Sequence, residues 1–182
     1  MSGVIGGVGS PSGIIGRRAD NQVWCKMVMY NGSGQAQGFT SNSLTKVGLD
    51  SAKESYGLGM ADTTNEYMVV PAGHSGWWLL GFQISYHSAS NNISDHFSKI
   101  SVERGGTAVE NVGGYHWITD TATVRHAMSV STAITNLQAG DILKLYGKSD
   151  GTSPMFFYGD ASGTQQTFMY AVKLNDTIIS SS

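Results

Sequence analysis

Charge is the scarcest property of this chain. Only 13% of its 182 residues are Asp, Glu, Lys or Arg, about half the usual share, and 11 basic against 13 acidic groups leave a net charge of -2. That excludes the basic face a nucleic-acid binder needs. Solubility must rest on hydroxyls and amides, which suits a β-rich surface or one largely covered by neighbours. A single cysteine, Cys25, excludes any disulfide within the chain. Its place inside "VWCKMVMY" marks it as a small buried hydrophobe rather than a nucleophile. No run approaches the roughly 18 apolar residues of a membrane-spanning helix. The first residues carry no early Lys or Arg and no compact apolar core, so no export signal is expected there.

Catalytic and metal motifs are equally sparse. Gly6-Gly7-Val8-Gly9 is followed by no Gly-Lys-Ser/Thr and so does not read as a phosphate loop. Five histidines (His74, His87, His96, His116, His126) contain no pair at ligand spacing, and no metal or other cofactor is expected. Asp150 in "SDGTS" and Asp160 in "GDASG" read as turn formers rather than calcium ligands. No Gly-x-Ser-x-Gly and no distinguished carboxylate pair is present, so the chain is not expected to be an enzyme.

What is present is a period of two. "VWCKMVMY", "EYMVVPAG", "DILKLYGKS", "SPMFFYGD" and "QTFMYAVKLN" read as strands. "SGWWLLGFQISYHS" reads as a strand buried on both faces, with Trp77-Trp78 packing into the core on one side. "FSKISVERGGTAVENV" reads as two short strands about a tight turn at Arg104-Gly105-Gly106. "TATVRHAMSVSTAITNL" alternates, with Val130 and Ile134 among polar partners. "TSNSLTKVGLDSAKESYG" has the only helical look, and its two glycines and β-branched residues argue against a helix. Eight to ten strands and an all-β domain follow.

The order of these segments resembles a known family. "NEYMVVPAGHSGWWLLGFQISY", "ISVERGGTAVEN", "SVSTAITNLQAGDILKLYG" and "TQQTFMYAVKLN" look like the jelly roll shared by tumour necrosis factor and the globular head of the first complement component. Leu137-Gln138-Ala139-Gly140-Asp141 is the sharpest piece. The resemblance implies a jelly-roll β-sandwich over residues 21–176, a C-terminal tail at 177–182 and a homotrimer. It departs from the secreted members in having no collagen-like repeat and no disulfide. In a trimer of this type, Phe168, Tyr170, Val172 and Leu174 on one face of the last strand are expected at the subunit interface, where uncharged side chains are cheap to desolvate.

Residues 1–20 are different in kind. Ser2-Gly3-Val4-Ile5-Gly6 returns as Ser12-Gly13-Ile14-Ile15-Gly16, and Arg17, Arg18 and Asp20 close the segment. Glycine-spaced aliphatic pairs are too flexible to fold alone and too apolar for an inert linker. The segment resembles the N-terminal arms of small bacteriophage structural proteins. The expectation is an attachment arm anchored by Val4, Ile5, Ile14 and Ile15, with Arg17 and Arg18 at its base. It would clamp the trimer to the major capsid protein on the exterior of a virion, after synthesis in the host cytoplasm. The alternative is a tail- or head-fibre adhesin that binds a host surface glycan or protein. Tyr115-His116-Trp117, placed after a Gly-Gly turn, would then be its exposed recognition patch.

Overall fold

In the computed structural model the described residues are 22–29, 36–54, 58–88, 95–117, 127–150, 155–159 and 167–174. They form thirteen strands and no helix. The strands are β1 (Trp24–Val28), β2 (Ala36–Phe39), β3 (Thr45–Lys46), β4 (Ser51–Glu54), β5 (Ala61–Asp62), β6 (Tyr67–Val69), β7 (Gly76–Ser88), β8 (Asp95–Arg104), β9 (Thr107–Trp117), β10 (Ala127–Leu137), β11 (Ile142–Ser149), β12 (Met155–Tyr158) and β13 (Phe168–Lys173). The excess over eight to ten comes from pieces of two to four residues, too short to carry an alternation. The arm, the tail and the boundaries expected at 20/21 and 176/177 lie outside the described residues.

Two antiparallel sheets pack face to face. The seven-stranded sheet runs β2-β12-β7-β13-β1-β4, with β10 on the other side of β7. The six-stranded sheet runs β5-β6-β11-β8-β9, with β3 also on β11. First and last strands are neighbours: Trp24 pairs Val172 and Val28 pairs Phe168. This closure by the chain's two ends, with all pairings antiparallel, is the jelly-roll arrangement.

β7 holds the first sheet together. β10 pairs it along eleven residues on one side, while β13 and then β12 share the other. Its alternation sends Trp78, Leu80, Phe82, Ile84 and Tyr86 into the core and turns Trp77 outward. They meet Ile100, Val102, Leu143 and Leu145 of the second sheet and Met169 and Ala171 of β13 in one cluster. At one end Phe39 stacks on Phe157 at 4.3 Å and Tyr86 on His96 at 4.2 Å. Gly147 leaves the room, since a Cβ there would lie 2.7 Å from the Tyr86 hydroxyl.

Glycine marks two different events. Gly105 and Gly106 take φ of 58° and 82° in the β8–β9 turn, as a two-residue hairpin demands. Gly113-Gly114, in contrast, is not a turn. It lies inside β9 opposite Lys99 and Ser98, and a Cβ on Gly113 would strike the Ser98 carbonyl oxygen. Tyr115, His116 and Trp117 therefore continue a strand, paired with Phe97, His96 and Asp95.

Candidate functional site

The two outward faces of the sandwich differ in chemistry. On the six-stranded sheet charged and polar side chains, Glu103, Lys99, Lys144 and Lys148 among them, stand between the apolar outward residues Val69, Phe97 and Ile142. Lys144 bonds Glu103 at 2.6 Å, and Lys99 donates to Asn111 at 2.8 Å with its ammonium 5.9 Å from the Tyr146 ring centre. This is a solvated face.

The seven-stranded sheet presents the opposite. Register places three rows across β1, β13, β7 and β10: Val28–Phe168–Gln83–Val130, Lys26–Tyr170–Gly81–Thr132 and Trp24–Val172–Leu79–Ile134. No carboxylate stands in these rows. Val130 and Ile134 are 55% and 59% exposed, and Trp24 and Trp77 are 37% and 38% exposed. Four of the six large exposed hydrophobics among the described residues thus share one face, where a monomer would normally place polar groups. Lys26 is the charge within the rows, and its ammonium lies 4.2 Å from the Phe168 ring centre.

Three of the four residues singled out on the last strand meet here. Phe168, Tyr170 and Val172 are half-buried on the outward side, while Met169 and Ala171 between them are in the core. Leu174 follows the strand, its N–H donating to the Trp77 carbonyl at 2.8 Å. Tyr170 lies across Gly81, where a Cβ would collide with its ring, and its hydroxyl is 3.3 Å from that of Thr132. Sequence reasoning found the β10 strand but did not place it on this face. Its alternation was legible, but Val130 and Ile134 occupy the outward face and Thr135 and Leu137 the inward one.

The Leu137–Asp141 segment builds a fixed corner. Gly140 has φ of 88° and its N–H donates to Val70. Asp141, fully buried, accepts from the Gln138 N–H and from both Nε and Nη2 of Arg104, each at 2.8 Å. Burial pulls its carboxyl upward, but Arg104 and the Gln138 N–H outweigh that and hold it below the ordinary carboxylate range. Arg104, read only as part of a turn, proves to be the partner of this buried acid.

No described cluster suggests chemistry. Cys25 is buried, and burial, then the nearby Glu54 carboxylate, pushes its thiol up to about 12. Among the described residues no three His, Cys, Asp or Glu side chains converge. Asp150 accepts the Asp95 N–H at 2.8 Å, tying the end of β11 to the start of β8. The backbone of Tyr115, His116 and Trp117 is placed in β9; their side chains, and the arm residues Val4, Ile5, Ile14, Ile15, Arg17 and Arg18, lie outside the described residues.

The fold and its closure define a tumour-necrosis-factor-like jelly roll. Solved structures similar to it include murine APRIL, at 16% identity and TM-score 0.55 over 84% of this chain and 99% of that one. Eiger TNF from S. frugiperda is similar at 15% identity and TM-score 0.50, over 85% of this chain and 94% of that one. No protein-family profile and no curated protein matches the sequence.

Proposed function

We propose that this chain is a non-enzymatic structural protein that assembles as a homotrimer through the outward face of its seven-stranded sheet. Its N-terminal arm would fasten the trimer to the major capsid protein on the outside of a bacteriophage virion, as a head decoration protein. The trimer reading is carried by the three acid-free rows, whose apolar area gains about 25 cal/mol per Å² when a neighbour covers it. The arm reading is carried by the two aliphatic pairs of residues 2–16. Weak anchors, repeated within an arm and across three chains, gain strength through effective concentration.

The mechanism is passive. Arms and trimer base bridge neighbouring shell subunits, and the added contact area opposes expansion of the shell. Undecorated shells mixed with the full chain and with a chain lacking residues 2–20 test this. The full chain should co-sediment with shells and the shortened one should not; equal binding of both would overturn the arm's role.

A further inference from the structure

One end of the six-stranded sheet holds a small depression of about 50 Å³, lined by Asn42, Asp95, Phe97, Lys148, Ser149 and Asp150. Strand alternation builds it. His96 and Ser98 of β8 and Gly147 and Ser149 of β11 turn into the core, so Asp95, Phe97 and Lys148 stand half-buried on the outward side. Backbone groups fix the walls. The Asp95 N–H donates to Asp150 Oδ1 at 2.8 Å, the Asp150 N–H to the Asp95 carbonyl at 3.2 Å, and the Asn42 N–H to the Ser149 carbonyl at 2.7 Å. Three segments distant in sequence are thus held around one space before any ligand arrives.

One atom in that space is unsatisfied. Asp95 Oδ1 is enclosed and accepts no hydrogen bond among the described residues. An enclosed carboxylate oxygen demands a donor. The rest of the lining decides which donor. An anion would meet the carboxylates of Asp95 and Asp150, and a metal cation would meet the positive charge of Lys148 in the same lining. Hydroxyl groups suffer neither penalty, because each both donates and accepts. They can donate to the carboxylates and accept from Lys148 and the Asn42 amide. Phe97 sets an aromatic side chain beside these polar groups, which suits C–H surface.

We infer that this depression binds a neutral saccharide, with a hydroxyl donating to Asp95 Oδ1 and ring C–H groups against Phe97. A space of this size takes a hydroxymethyl group or a pair of hydroxyls, with the sugar ring at the rim.

The position in the fold suits recognition. β1 begins level with Leu79 of β7, whereas the depression lies level with Tyr86, whose ring stacks on His96 and whose hydroxyl donates to the Phe97 carbonyl. From Leu79 to Tyr86 the strand runs about 23 Å. The chain therefore enters at one end and the depression opens near the other. It also lies on the opposite sheet from the three acid-free rows. The β9 positions in register with Phe97 and Asp95 are Tyr115 and Trp117. This inference depends on neither the trimer nor the arm.

The test is saturation-transfer-difference NMR of the purified full chain with millimolar glucose, galactose, mannose, rhamnose or N-acetylglucosamine. The original protein is compared with D95A and F97A, whose folds near-UV circular dichroism verifies. At least one sugar should receive saturation from the original chain. Both variants should weaken that binding at least about tenfold, the scale of a lost charge-assisted hydrogen bond. No transfer to any of these sugars, or binding unchanged in either variant, would overturn the assignment. Calcium chloride and sodium phosphate are titrated separately. Amide shifts at residues 95–97 and 148–150 with either salt, and with no sugar, would make the site ionic and overturn it as well.

Discussion

Arg104 grips both carboxylate oxygens of Asp141 and so ties the tip of the β8–β9 hairpin to the turn that opens β11. Asp141→Asn keeps the shape and removes the charge. It should cost about 2 kcal/mol, in the range of charge-assisted hydrogen bonds, by denaturant titration at pH 7.

The same pair sets a pH dependence. Asp141 is held below the ordinary value near 4, so its contribution is complete above about pH 4 and is lost as pH falls through its lower folded value. The stability gap between the original protein and D141N should narrow progressively as pH falls below about 4. A gap that stays constant as the pH is lowered would show that Asp141 does not titrate as a paired carboxylate.

Gly81 and Gly113 should respond differently to a side chain. At Gly81 the obstacle is the far end of Tyr170, which can swing away. Gly81→Val should leave the unfolding midpoint of the isolated chain nearly unchanged while weakening self-association. At Gly113 the obstacle is the Ser98 backbone. Gly113→Ala should cost about 1–3 kcal/mol, as overpacking does.

Cys25 should be silent to thiol reagents at pH 8, since its thiol titrates near 12 and is enclosed. Ellman's reagent should react only at the rate of unfolding; reaction within seconds on the native protein would contradict the buried placement.

Much of the architecture was legible because alternation and turn chemistry are local. The β7 run showed its central place through two tryptophans and uninterrupted apolar residues, and Gly105-Gly106 marked a hairpin that only positive φ permits. Leu137–Asp141 showed its turn, but not that Arg104, 37 residues earlier, completes it; pairing between strands far apart in sequence has no local signal. Gly113-Gly114 misled because close backbone approach and turning both demand glycine. For Val130 and Ile134 the alternation was legible but the face was not. An apolar alternation normally marks the core face, whereas here β10's inward positions include Thr135 and Leu137 and its outward ones carry aliphatic groups.

The outward face carries the central claim, and the most direct measurement is the mass in solution by sedimentation equilibrium, for the original chain and for V130K/I134K. These side chains are exposed, so the double variant should fold with unchanged stability. Each loses about 1 kcal/mol of covered area and adds an unpaired charge, enough to weaken each contact at least tenfold. The original chain should sediment at three times the 19.3 kDa chain mass and the variant at one. A monomer for both, at tens of micromolar, would contradict the claim that this face is an interface.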